Sequence, residues 1–470
     1  MTALQLLALL PILILALGAV ALLMLGAWWP ARRPLLLGGC AVALAAALAA
    51  GAGTPPLVEV AGMYGTGPYA RFFAVLWSVV AALTLLLSLR YGENRDFSGG
   101  EYVSLVLFAA AGMALLSAAT SLVGFFLGLE SFTLALYILI AYHRGAAGGA
   151  EAGLKYLILG AVATGFLAFA IALIYVATGT FHLPEAMAAL SAAQGLRPFG
   201  LLGWGMLLVA VGFKVSLVPF HLWTADVYQG APAPVTGLLS SGSKGAVFAA
   251  LVTLFAGAGS ASGLVPLLWL LAAVTMIAGT LTALRQDNVK RMLAYSSVVH
   301  MGYVLLALLA GGADGRAAVV FYLVAYSVVS IGAFGVVASF AGAANEPQEY
   351  PDWRGLGYRH PFRAGALAVF LFSLAGIPPT AGFIGKFGIF YAAIRADFVG
   401  LALVGILASL VSLYYYLRLV VVLFMSDETA PDLHPGSHHE HAALLVCLSV
   451  TLLLGVYPGP LLDLIGTILP

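Results

Sequence analysis

Apolar runs of about 20 residues follow one another along this chain, parted by short stretches where Arg, Asp, Glu, Gly and Pro collect. About 20 apolar residues are enough for a helix to cross a bilayer. On that ruler the pattern predicts about fourteen transmembrane helices, at 4–28, 35–53, 71–90, 101–119, 121–142, 153–178, 200–222, 233–257, 263–284, 290–311, 316–341, 363–394, 397–424 and 441–458. The fold class is therefore an all-α polytopic membrane protein. Runs seven and twelve hold prolines mid-segment, Pro219 and the pair Pro378-Pro379. Proline removes a backbone donor and clashes with the preceding turn. In lipid the freed carbonyls must find partners in protein or water, so broken helices are expected to face the interior, where ions pass.

The two broken helices are five apart in order. That spacing suggests two five-helix repeats, helices 4–8 and 9–13, and a repeat with an odd number of spans must be inverted relative to its twin. The order of lysine and proline differs between them: Lys214 precedes its break, whereas Lys386 follows Pro378-Pro379. We divide the chain into an N-terminal three-helix segment at 1–100, a first repeat at 101–257, a second at 258–424, and a loop with a last helix at 425–470.

Composition narrows the class. The chain is 62% hydrophobic and 8% charged, with a mean hydropathy of +1.05, against about 25% charged residues in soluble proteins. A net charge of +1 gives nucleic acid no purchase. Cys40 and Cys447 lie far apart in apolar segments without metal-ligand company, which marks them as small hydrophobes. The first run, Leu4 to Met24, has no basic residues before it, so we expect a retained span and not a cleaved signal.

Orientation follows from the loop cations. With fourteen spans both termini share one side. Loops opposite them carry Arg32, Arg33, Arg90, Arg95, Arg144, Arg285, Lys290, Arg291, Arg354, Arg359 and Arg363; loops on the terminal side carry only Arg71, Arg197, Arg316 and Arg395. Both termini are expected to be extracytoplasmic. The His-rich loop Asp432 to His441 is then cytoplasmic, and adventitious metal binding is the expected limit of its chemistry.

Few ionisable groups lie within the runs: Glu130, Lys214, Lys244, Lys386 and Arg418, with His221, Asp226 and His300 near breaks or in helices. Charges at mid-membrane cost about 2.5–3.5 kcal/mol on insertion scales, so each calls for a use or a partner. Glu130 has no counter-charge nearby in sequence, and Lys214 is the candidate partner from another helix. Burial and a nearby carboxylate act on a lysine in opposite directions. A lysine held between them can exchange a proton when its partner moves. Glu130 with Lys214 would be the input switch, Lys244 a relay and Lys386 the far acceptor, with His221, His300 and Asp226 as possible relay members. No nucleophile triad, metal cage or phosphate loop accompanies them, and the glycines suit helix packing. Static readings stand beside these. Lys214 and Glu130 could form a fixed pair, Lys244 could sit in a hydrated pocket after Ser240-Ser241-Gly242-Ser243, and Lys386 could snorkel. Arg418 is expected to snorkel, Asp226 to tie down the loop after the break, and Lys155 to anchor at the interface.

The segment from Lys214 through His221, Asp226, Pro232 and Pro234 resembles the long signature of the antiporter-like membrane subunits of respiratory complex I. Asn288 to Tyr303, Ala375 to Phe387 and Leu127 to Ser131 resemble the same family, and the likeness covers nearly the whole chain. Within that family, Glu151-Ala-Gly-Leu-Lys155-Tyr, the lysine at Lys386 and the short C-terminus are most similar to the N type; the M type carries glutamate at that position and the L type a long extension. The family often has proline where this chain has Ala225, which implies a looser turn. The resemblance implies fourteen helices with two inverted repeats, a bacterial inner-membrane location, and a central proton path matching Glu130, Lys214, Lys244 and Lys386. It also implies that NADH, flavin, iron–sulfur clusters and quinone bind in other subunits, so that no cofactor belongs to this chain. Neighbours would be the M subunit, the small subunits K, J, A and H, and lipid. A stand-alone or multisubunit cation/proton antiporter and a structural spacer with static charges remain the competing classes.

Overall fold

The computed structural model describes residues 2–29, 31–52, 58–97, 99–143, 145, 147–189, 196–256, 264–342, 346–425 and 436–469. Helices dominate because in lipid every backbone N–H and C=O must be paired within its own segment. The membrane helices in chain order are α1 (Leu10–Trp28), α2 (Arg32–Gly51), α3 (Pro68–Asn94), α4 (Gly99–Ser117), α5 (Leu122–Ile140), α6 (Ala147–Thr178) and α7 (Arg197–Val215). The short α8 (Trp223–Gly230) follows. Then comes α9, built of Ala233–Leu238, a π-helical turn Leu239–Ser243 and Lys244–Ala256. After it run α10 (Val265–Leu284), α11 (Val289–Ala310), α12 (Gly312–Phe340), α13 (Pro361–Ala375), α14 (Ala381–Arg395), α15 (Val399–Met425), α16 (His438–Val456) and the short α17 (Gly459–Ile468).

Thirteen of the described helices are long and apolar enough to cross a membrane. Helices α13 and α14 have 15 residues each. At 1.5 Å per residue each reaches about 22 Å, short of the roughly 30 Å hydrocarbon core. Together they make one broken crossing, the twelfth, and the total agrees with the fourteen predicted. Three boundaries differ in instructive ways. The seventh helix, expected at 200–222, ends at Val215, and His221 lies in the following break. The twelfth, expected as 363–394, is interrupted at 376–380. The chain does not end with its last crossing, because α17 follows it. A two-residue hairpin, Glu59–Val60 with Tyr64–Gly65, was not signalled by the apolar pattern.

The broken crossings occupy corresponding places in α4–α9 and α10–α15, and their breaks are built alike. Ser216 (φ +63°) and Gly376 (φ +87°) are left-handed residues closing their helices. Their N–H groups donate to Phe213 O and Ser373 O, and the next residues, Leu217 and Ile377, donate to Gly212 O and Phe372 O. Each is a Schellman turn, which satisfies carbonyls that a stopped helix leaves open. A proline stands three residues later in both, Pro219 and Pro379.

Glycines let the helices close in. A Cβ at Gly112 of α4 would fall 2.5 Å from Phe132 N of α5, and one at Gly128 of α5 2.6 Å from Leu116 N of α4. This is the small-residue contact expected between helices in lipid. Along α9, α11 and α12 89% of the apolar stretch is buried, against 33% in α6 and α15, 28% in α16 and 22% in α1. The polar residues of interest lie along the buried set and against it.

Candidate functional site

Lys214, Lys244 and Lys386 are 3%, 0% and 4% exposed, so each ammonium must be satisfied within the protein. Lys214 stands in the last turn of α7, beside the break. Its Nζ donates to Thr133 Oγ1 of α5 at 2.8 Å and lies 5.4 Å from the Tyr156 ring, 5.7 Å from Tyr137 and 5.8 Å from Phe213. Trp223 Nε1 donates to Phe213 O at 2.9 Å, covering a carbonyl at the break.

Lys244 follows the π-turn of α9. The wider turn carries the buried Ser240, Ser241 and Ser243, and Gly242 faces Met113 so closely that a Cβ would meet its sulfur at 2.6 Å. Such single π-turns inside α-helices are frequent at functional sites. Lys244 Nζ donates to Ser297 Oγ of α11 at 2.6 Å, with the Tyr228 and Trp223 rings at 5.2 and 5.9 Å. Tyr228 OH meets the same Ser297 at 3.2 Å.

Lys386, in the first turns of α14, reaches back across its break. Its Nζ donates to Ala375 O at 3.0 Å, a carbonyl at the end of α13, and to Ser409 Oγ of α15 at 2.8 Å, under the Tyr303 ring at 5.1 Å. A cation at a helix C-terminus meets the negative end of the helix dipole.

His300 stands on α11 between Ser297, which holds Lys244, and Tyr303, whose ring faces Lys386. Ser297, His300 and Tyr303 recur at i, i+3 and i+6, hence on one face over about 9 Å. His300 Nδ1 is hydrogen-bonded to Tyr322 OH, and its Nε2 to Tyr416 OH at 3.1 Å. Tyr416 also bonds Ser296, and Ser240 of the π-turn bonds Ser330 of α12.

The expected Glu130–Lys214 contact is not there. Glu130 is half-buried and accepts from Thr164 Oγ1 of α6 at 2.8 Å, while Lys214 is held by Thr133, three residues further along α5. Among the described residues none of the three lysines has a carboxylate within 4.0 Å. Asp226 lies apart from this row, on α8, between Lys155 Nζ at 2.7 Å and Arg291 Nη1 at 2.6 Å, with Gln229 also on Arg291. It ties α6, α8 and α11 together. Ala225 is inside α8 and 2% exposed, not in a loosened turn. His221 lies half-buried in the break with the Tyr295 ring 6.2 Å away. Arg418 does not snorkel free: it pairs with Asp287 at 2.9 Å and covers Tyr350.

Two groups escaped sequence reasoning. Lys290, counted as a loop cation, is wholly buried at the start of α11 and pairs with Glu346 at 2.7 Å. Glu346 stood in no motif and in no apolar run. Of the His-rich segment, 432–435 lie outside the described residues; His438, His439 and His441 begin α16, where His439 meets Arg33 at 2.9 Å and His441 packs on Phe362. Among the described residues no three His, Cys, Asp or Glu side chains gather as a metal site.

A helical membrane chain with two matched broken crossings and a row of buried lysines on hydroxyl partners is an antiporter-like membrane subunit. Residues 119–412 match the family described as NADH:quinone oxidoreductase/Mrp antiporter, TM. NADH-quinone oxidoreductase subunit N of Syntrophotalea carbinolica is 49% identical over 474 residues, covering 99% of each chain; that of Geobacter metallireducens is 46% identical over the full length of both. A chain of respiratory complex I from Thermus thermophilus superposes with a TM-score of 0.83 at 35% identity, over 96% of this chain and 98% of that one. A chain of the Mrp complex from a Dietzia species superposes with a TM-score of 0.86 at 23% identity, over 100% and 97%, a likeness of fold alone. The chain belongs to the NADH-quinone oxidoreductase subunit N family.

Proposed function

We propose that this chain moves protons across the membrane as a subunit of an NADH:quinone oxidoreductase, driven by quinone reduction in other subunits. The path runs from Glu130 and Lys214 through Lys244 and His300 to Lys386. His221 is a side relay at the first break, and Asp226 is a tie that holds the break in place. One observation carries this reading: three buried ammonium groups sit at two helix breaks and a π-turn, and each is held by hydroxyls, a carbonyl or aromatic faces in place of a carboxylate. A carboxylate partner would fix the charge, as in a static pair. A hydroxyl can donate as well as accept, so it can partner the free amine as well as the ammonium.

Both termini face the extracytoplasmic side of the bacterial inner membrane on the count of loop cations. The natural neighbours are the M subunit and the small subunits K, J, A and H. The units 101–257 and 258–424 act as two half-paths meeting at Ser297 of α11.

The test is Lys214→Ala in membranes containing the assembled complex, with assembly checked on a native gel. NADH-driven quinone reduction and proton uptake are measured together. Normal assembly with collapse of both activities is the expected result. Wild-type values for both would leave Lys214 structural and the chain a spacer.

A further inference from the structure

The proposed path makes no use of the buried pair Lys290–Glu346, yet that pair stands at the junction leading to Lys244. Helix α8 ends at Gly230 and α9 starts at Ala233, with only Ala231 and Pro232 between. Pro232 and Pro234 have no N–H, so Ala233 carries the sole backbone donor of the three. That N–H donates to Glu346 Oε1 at 3.2 Å. On the other side of the junction Ala231 O accepts from Lys290 Nζ at 2.6 Å. The two side chains are themselves joined at 2.7 Å, and Tyr91 OH of α3 donates to Glu346 Oε1 at 2.6 Å. Lys290 is 0% and Glu346 8% exposed. Burial pushes the Glu346 carboxyl up, but Lys290 first, then Tyr91 and Arg95, hold it below the usual range. Both groups are spent on the ends of the same junction.

Helix α11 carries one half of this arrangement and also the partner of Lys244. Ser297 lies seven residues after Lys290, two turns along the same face, or about 10 Å. Sliding α9 against α11 by a single residue would carry Lys244 Nζ about 1.5 Å from its place on Ser297, which stretches the 2.6 Å hydrogen bond to about 3.0 Å if the shift is across it and about 4.1 Å if along it, weakening or breaking it.

We propose that Lys290 and Glu346 are positioning residues for Lys244: they clamp the α8–α9 junction onto α11 and so fix the height at which Lys244 meets Ser297. The inference rests on Lys244 lying on the proton path. Neither residue touches Lys244. They act by holding the two helices in register, and α11 serves as the common ruler for the clamp and the lysine's partner.

A mutant cycle on the assembled complex tests this. The variants are the charge-balanced Lys290→Met/Glu346→Gln, then Ser297→Ala, and all three together, each assayed for NADH-driven quinone reduction per assembled complex. Replacing both charges together avoids a stranded buried ion. We expect the paired variant to lose at least about fivefold in kcat, about 1 kcal/mol, with the KM for quinone unchanged. Adding Ser297→Ala should then cost less than about twofold more, because sites this far apart are additive unless they act on one contact. A paired variant within about twofold of wild type, or losses that multiply in the triple variant, overturns the clamp. If the paired variant does not assemble, Tyr91→Phe takes its place. It keeps both charges, and its loss must likewise vanish in the Ser297→Ala background. Lys244→Ala separates the two levels: full activity there refutes the path itself, whereas its collapse beside additive clamp losses refutes only the clamp.

Discussion

Thr133→Val tests the site where structure and sequence disagree most. Valine matches threonine in shape, so α5 keeps its packing and loses only a hydroxyl. That hydroxyl is the hydrogen-bond acceptor of Lys214 Nζ, at 2.8 Å. Its own bond to Leu129 O is a local helix contact whose loss leaves no buried donor open. A hydrogen bond to a charged group contributes about 1.5–3 kcal/mol. The aromatic faces around Lys214 stay in place, and Glu130 remains on Thr164, so nothing nearby replaces the lost partner. The free amine loses a neutral hydrogen bond of about 0.5–1.5 kcal/mol in the same change, so the protonated state of Lys214 is weakened relative to the neutral one by the difference, about 1–1.5 kcal/mol. At 1.36 kcal/mol per factor of ten, the ratio of protonated to neutral lysine at fixed pH falls roughly five- to tenfold. Turnover of the assembled complex, measured as NADH-driven quinone reduction with proton uptake, should fall by a similar factor if that state is on the path. Thr133→Ser restores the hydroxyl and should restore most of the rate. Wild-type turnover in Thr133→Val would refute the reasoning, as would equal loss in the serine variant, which would point to packing and not to the hydrogen bond.

Gly376→Ala places a methyl at φ +87° and 3.0 Å from Lys386 Cδ; it should destabilise the complex by about 1–2 kcal/mol in thermal inactivation and lower turnover by displacing Lys386 from Ala375 O. Unchanged turnover would mean that this contact does not matter. Asp226→Asn weakens the ties to Lys155 and Arg291, but the aspartate is 36% exposed, so about 0–1 kcal/mol per pair is at stake. Assembly on a native gel should be normal and turnover within about twofold; a collapse of proton uptake with intact assembly would make Asp226 a relay member.

Apolar length alone located the crossings, and the mid-run prolines located the two breaks, because lipid leaves a chain few alternatives. Boundaries at the breaks were off because the left-handed closures at Ser216 and Gly376 come three residues before the proline that signals them. Lys214, Lys244, Lys386 and His300 stood out as charges or polar groups in apolar company. Their partners did not. Thr133, Ser297, Ser409 and the tyrosines are ordinary residues in a sequence, and their roles arise only when helices far apart in the chain meet. Glu130 was assigned to Lys214 on charge, yet a threonine one turn away reaches it. Lys290 illustrates the opposite error, for a lysine at the end of an apolar run is equally well a loop cation or a buried one until Glu346 is brought against it from 56 residues away.

The π-turn at Leu239–Ser243 gives the eighth crossing one residue more than a regular helix would hold in that length. Removing one residue there would close the turn to the ordinary i→i+4 pattern and leave the helix on either side in place, whereas removing one from a regular helical stretch turns everything beyond it by about 100°. The turn is therefore the place in α9 where a single-residue deletion is absorbed, at the expense of the wide turn itself. What the extra residue supplies is the width of the turn, and with it the places of three buried hydroxyls, Ser240, Ser241 and Ser243, beside Lys244.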